Sequence, residues 1–318
     1  MQKDHNFQSA AVIGTGMMGP GIAVTLALGG VHTTILSRRQ ESAQRGLEAA
    51  HAQLRLLHEN GLAPAEKAGW ARDNLEARAG YQEALEGVDL VIESAPENME
   101  FKQQLFARLE EFANPEAVLA SNTSGLSITA IASHCQRPER VLTTHFWNPP
   151  HLMPLVEIVK GGKTSDGIAE RVRTLLAVCG KVPVVVRRDT PGQLGNRLQL
   201  ALLREALHIV QEGIASVEDV DLAVKNGFGL RLPVYGVFEH ADIVGLDMVL
   251  AILDYIAQDL CNSRQAPPSL RERVQRGDLG AKTGVGFYDW SKKSAADVKA
   301  RRDGFVLEFL QRAGLPRA

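Results

Sequence analysis

The chain has 318 residues, a length that fits about two domains with cores that need no disulfide or metal staple. Hydrophobic residues are 45% and charged residues 23%, which argues against disorder, and 35 basic against 37 acidic residues leave a net charge of −2, which argues against nucleic acid as the main partner. Cys135, Cys179 and Cys261 are too scattered for a zinc cluster or a disulfide framework. The first residues lack a signal-peptide pattern and no window matches a membrane span, so the expected setting is cytoplasmic, with no membrane, metal or nucleic-acid partner.

From Ser9 to Arg187, short apolar runs alternate with longer helical patterns. The runs are residues 10–13, 33–36, 90–92, 117–119, 141–144, 155–159 and 182–186. Continuous runs rich in β-branched residues suit strands buried on both faces, and alternation with helices suggests βαβ units with a parallel sheet. Glu100–Phe112 and Ser165–Val178 carry apolar residues at helical spacing. After the turn signal Asp189-Thr-Pro-Gly192 the pattern becomes helical, over Gln193–Glu212, Val217–Lys225 and Val244–Leu260, with one short strand-like stretch, Gly286-Phe-Tyr288. The predicted organisation is an α/β, Rossmann-like doubly wound sheet at 1–188, binding a dinucleotide. A mostly α-helical domain follows at 189–318.

Gly14-Thr-Gly16-Met17-Met18-Gly19 follows the first strand and opens a helix running to about Gly29. The first glycine permits a tight turn, the second lets a pyrophosphate approach, and the third lets helix and strand pack closely. The helix start then offers free N–H groups to the phosphates. A purely structural glycine turn is the alternative, but the strand before and the helix after favour the nucleotide. The second strand ends in Ser37-Arg38-Arg39 instead of the acidic residue usual in NAD sites. No carboxylate repels a 2′-phosphate there and two guanidiniums can pair with one, which leans toward NADP(H) over NAD(H). The other reading is a solvated arginine pair, with Ser37 on the ribose of NAD.

Ser121-Asn-Thr-Ser124 and His145-Phe-Trp-Asn148 both follow strands, so both should reach the carboxyl edge of the sheet, where ligands of such folds bind. Oxidation of an alcohol needs a base for the hydroxyl proton, and histidine suits that work. Glu157 can fix its tautomer if the Asn148-Pro-Pro turn folds the chain back. Ser124 and Asn148 can donate hydrogen bonds to a substrate oxygen, and Ser124 can also serve as a helix N-cap.

With these residues the chain resembles the 3-hydroxyacyl-CoA dehydrogenase family, including its lambda-crystallin/L-gulonate 3-dehydrogenase branch, over about residues 9–290. The motifs that carry the resemblance, in order, are Gly14–Gly19, Pro96-Glu-Asn98 with Lys102, Ser121–Ser124, His145–Pro149, Leu155-Val-Glu157, Asp189–Arg197 and Lys282–Tyr288. The resemblance implies His145 as general base with Glu157 as its partner. It implies Ser124 and Asn148 at substrate and nicotinamide, Asn196 as a further active-site group, and Glu97, Lys102 and Lys282 as cofactor contacts. It also implies a homodimer formed through the helical domain. The substrate expected is a 3-hydroxyacyl-CoA, oxidised to the 3-oxoacyl-CoA. The alternative is a free 3-hydroxy acid, because the apparent counterparts of the family's CoA-contacting serine and lysine are Ala50 and Leu57. With a CoA thioester, Arg45, His51 or Arg55 would have to take over the phosphate contacts. A 6-phosphogluconate-like dehydrogenase would need a lysine where Pro191–Arg197 offers Asn196, and a non-catalytic crystallin-like protein would not need the complete polar set.

Overall fold

The apolar runs form strands because neither face meets water. In β1 (Ser9–Ile13), residues 10–13 are all buried. Successive side chains point to opposite sides: Ala10 and Val12 join one apolar cluster, Ala11 and Ile13 the other. These statements refer to a computed structural model that describes residues 5–313.

The other strands are β2 (His32–Ser37), β3 (Leu75–Ala79), β4 (Leu90–Glu93), β5 (Val118–Ser121), β6 (Val141–Phe146), β7 (Leu155–Lys160) and β8 (Val182–Val186). They form one sheet in the order β3-β2-β1-β4-β5-β6-β7-β8. The first six run parallel; β7 pairs antiparallel with β6, and β8 follows β7. The architecture is therefore the Rossmann-like doubly wound sheet followed by helices. The Gly19–Leu28 helix has all ten residues buried, as a helix that is apolar on every side must be.

Several local expectations change. β3 was not anticipated: Leu75-Glu-Ala-Arg-Ala is a polar edge strand with one buried residue, and so lacks an apolar run. Leu155–Lys160 reverses direction, since the short Asn148–Pro154 connection carries no crossover helix. The helix expected at Val244–Leu260 runs Leu246–Ile256, and Val244 instead ends a preceding helix, Val237–Val244, the two parted at Gly245, whose φ is +98°. Around Gly286–Tyr288 there are only isolated bridges, Gly280 to Val285 and Val285 to Asp289. The N-cap of the short Ile128–Ile131 helix is Ser127, not Ser124.

The chain groups into two compact units, one running through Arg197 and resuming at Ala300, the other Leu198–Lys299. Both ends differ from the 189–318 expectation for physical reasons. The start of the Gly195–Gln211 helix is hydrogen-bonded to the sheet through Glu157, and Val306 and Leu307 of the Ala295–Ala313 helix pack on the sheet's core. In the second unit, the helices Val217–Asn226, Val237–Val244, Leu246–Ile256 and Pro268–Arg276 bury none of their residues. Among the described residues no helix is long and apolar enough to cross a membrane.

Candidate active site

Gly14 turns the chain with φ +118°, and a Cβ there would run into the Ser94 carbonyl. A Cβ on Gly19 would run into the Gly14 carbonyl, so strand, turn and helix pack as closely as the glycine pattern predicts. Above Gly16 the space is open, Met17 is exposed, and Met18 packs its side chain on the core. The Gly19–Leu28 helix begins with Pro20 in its first turn, no side-chain cap and no acidic residue. Open space over uncapped N–H groups fits a dinucleotide pyrophosphate. At the end of β2, Ser37 is half-buried, while Arg38 and Arg39 are exposed.

Beside this crevice lies a polar network rooted in the core. Lys102, 1% exposed, is no surface lysine. Its ammonium donates to Glu93 Oε1 at 2.5 Å and to the Ala95 carbonyl at 3.3 Å, and lies 3.6 Å from Glu97 Oε2. Glu93, fully buried at the end of β4, also accepts from Ser121 Oγ at 2.6 Å. Each buried charge thus has a partner, without which its desolvation would be prohibitive. Glu97 Oε1 accepts from Thr123 Oγ1 at 2.5 Å, from the Ser124 N–H at 3.0 Å and from Ser124 Oγ at 3.4 Å. Glu97, Lys102 and Ser124 therefore form one cluster.

The antiparallel β6–β7 pair sets His145 directly opposite Glu157. Nδ1 lies 3.3 Å from Glu157 Oε1. With Nδ1–H donating to the carboxylate, Nε2 carries the lone pair. Glu157 is also the anchor of the Gly195–Gln211 helix: Oε2 accepts from the Leu194 N–H at 2.8 Å and the Gly195 N–H at 3.2 Å. The Trp147 indole N–H donates to Oε1 at 3.0 Å. Burial pushes the Glu157 carboxyl up, but the hydrogen bonds from His145, Leu194, Trp147 and Gly195 outweigh it and hold the group below the usual carboxylate range.

Asn148 is exposed and precedes a cis peptide bond to Pro149. Asn196 donates from Nδ2 to the Ser124 carbonyl at 2.9 Å, tying the helix start to the Ser124 turn. The buried Gln193 donates from Nε2 to the Thr123 carbonyl at 2.9 Å. His145, Glu157, Ser124, Glu97, Lys102 and Asn196 are thus linked within the first unit, whereas Lys282 belongs to the second.

Residues 9–190 match the family model of the 3-hydroxyacyl-CoA dehydrogenase NAD binding domain, and residues 192–290 match that family's C-terminal domain. The chain belongs to the 3-hydroxyacyl-CoA dehydrogenase family. It is 32% identical to 5-formyl-3-hydroxy-2-methylpyridine 4-carboxylate 5-dehydrogenase of Mesorhizobium japonicum, over 93% of this chain and 94% of that protein. It is 36% identical to 3-hydroxybutyryl-CoA dehydrogenase of Clostridioides difficile, over 89% of this chain and 99% of that one. A solved structure of a 5-formyl-3-hydroxy-2-methylpyridine 4-carboxylic acid 5-dehydrogenase, described as an NAD+ dependent dismutase, superposes with a TM-score of 0.88 at 31% identity, covering 95% of this chain and 97% of that one.

This dehydrogenase is an oxidoreductase of the 3-hydroxyacyl-CoA dehydrogenase type and takes a nicotinamide nucleotide. The sequence alone assigns no role to Glu93, Ser121, Trp147 or Gln193. Glu93 had a readable signal, a carboxylate closing the buried run Leu90-Val-Ile92. Gln193 had none, since its partner lies 70 residues away, and the indole of Trp147 carried no signal of its own beside His145.

Proposed function

We propose that this dehydrogenase reversibly oxidises a 3-hydroxyacyl-CoA to the 3-oxoacyl-CoA, with His145 as general base. The observation that carries the reading is the His145–Glu157 contact across β6 and β7, on the same sheet as the glycine turn. Gly14, Gly16, Met17, Met18 and Gly19 cradle the pyrophosphate; Ser37, Arg38 and Arg39 meet the adenosine ribose; Glu97, Lys102 and Lys282 serve the cofactor as well. A nicotinamide held there would supply the acceptor for the hydride that leaves the substrate carbon. His145 Nε2 takes the hydroxyl proton, and Glu157 stabilises the resulting imidazolium. Ser124 and Asn148 hold the substrate oxygen and the nicotinamide, and Asn196 braces the Ser124 turn. The nucleotide-binding part, expected at 1–188, is the unit built on the sheet, and the substrate and dimerisation part, expected at 189–318, centres on Leu198–Lys299, in a homodimer. The absence of a carboxylate at the end of β2 supports a lean toward NADP. A reducing cytoplasmic setting accords with Cys135, Cys179 and Cys261 being free thiols.

A second reading, a free hydroxy acid as substrate, has its own support. Ala50 and Leu57 are buried, so the apparent counterparts of the CoA-contacting pair offer no polar group. A full-length relative is named for a pyridine carboxylate.

The test is cofactor reduction with 3-hydroxybutyryl-CoA, free 3-hydroxybutyrate and L-gulonate. The thioester is expected to be turned over fastest; reduction by none of the three, while the nucleotide binds, would overturn the substrate class. In His145→Asn, kcat/KM is expected to fall by about 100-fold or more with cofactor affinity nearly unchanged. Undiminished turnover in that variant would remove His145 from its role.

A further inference from the structure

We propose that Trp147 is a positioning residue that sets the protonation of the His145–Glu157 pair: its indole N–H occupies the carboxylate oxygen that the imidazole also uses. The role assigned to His145 comes from the functional reading above; the coupling itself rests on the contacts alone.

Glu157 is fully buried, so its charge is balanced only by what touches it. Oε1 receives the indole N–H at 3.0 Å, the imidazole Nδ1 at 3.3 Å and the Gly195 N–H at 3.3 Å. The indole is thus nearer to Oε1 than the imidazole is. A carboxylate has about four acceptor sites, and here neutral donors fill most of them. Each of those donors stabilises the anion without supplying a proton, so less of its field is left to hold a proton on the ring. The groups facing Glu157 are His145 from β6, Trp147 just beyond that strand, and the N–H groups of Leu194 and Gly195 at the positive end of the Gly195–Gln211 helix.

The indole is built into this place. A Cβ on Gly195 would run into its ring and come within 2.9 Å of Glu157 Oε1, so residue 195 must lack a side chain for the tryptophan to lie there. The ring also tilts against His145, with centroids 5.6 Å apart and planes at 50°. An indole N–H is a donor that neither accepts nor titrates, which suits a fixed brake on a titrating pair. Phenylalanine at this position would pack and not donate.

The experiment is an NMR titration of the His145 ring in the full-length, cofactor-free protein, its signal identified by its loss in His145→Asn. Wild type is compared with Trp147→Phe and with protein carrying benzothienylalanine at 147, which keeps the bicyclic shape and replaces the N–H by sulfur. Both changes are expected to move the midpoint upward by about half a pH unit or more. The acidic limb of kcat/KM for 3-hydroxybutyryl-CoA is expected to move the same way. Unmoved midpoints in the benzothienylalanine protein would overturn the proposal and leave the tryptophan a packing residue. A shifted midpoint with no turnover of 3-hydroxybutyryl-CoA by wild type would support the coupling and count against the substrate reading alone.

Discussion

The unit built on the sheet and the unit Leu198–Lys299 treat their apolar residues in opposite ways. In the first, two clusters cover the two sides of the sheet and leave side chains such as Phe106, Ile22 and Leu26 fully buried. In the second, Phe238 is 86% exposed, Val234 82% and Tyr255 80%, and Leu207 is the residue that reaches burial. Apolar exposure on this scale marks an interaction surface. The exposed apolar residues of the second unit are those that the homodimer proposed above would cover.

That contrast can be broken most directly at Phe238. Phe238→Glu puts a charge on the exposed apolar face, and self-association measured by sedimentation equilibrium is expected to weaken by about 100-fold. Unchanged association would mean that another surface makes the dimer.

Acid sharpens the contrast from the other side, because the first unit contains a histidine that folding keeps neutral. Burial, with a contribution from Lys181 and against an opposing one from Asp303, pushes His151 down to about 4. The unfolded ring has its ordinary value of about 6.5, so the unfolded chain binds more protons between these values. The stability due to the neutral ring is complete above pH 6.5 and is lost as pH falls toward 4. His151→Asn is expected to reduce the loss of unfolding free energy over that window by about 2 kcal/mol, followed by urea melts at several pH values. Parallel declines in the two proteins would count against it.

The smallest expected effect concerns the cofactor, which the sheet unit selects. Removing both guanidiniums in Arg38→Ala/Arg39→Ala is expected to weaken NADP(H) by about tenfold relative to NAD(H) in fluorescence titrations. Equal losses for the two nucleotides would count against a grip on the extra phosphate.

What was legible in the sequence follows from the kind of physics involved. The glycine turn and the strand–helix alternation are local, and each recurs in the fold with little displacement. His145 and Glu157 were readable because twelve residues of chain with a Pro-Pro turn connect them. β3 was not, since an edge strand with one buried residue needs no apolar run. Lys102 was implied in the sequence as a cofactor contact, but its burial and its pairing with Glu93 emerge when the fold closes over both. The return of residues 300–313 to the first unit depends on packing by Val306 and Leu307, whose spacing alone names no partner.

Glu157 performs two jobs with one carboxylate, orienting an imidazole and fastening the first turn of a long helix. Exchanging it for glutamine or aspartate would therefore disturb architecture and chemistry together. Variation that adjusts the enzyme's working pH has its freedom elsewhere, in the lighter-duty side chains around an immovable acid.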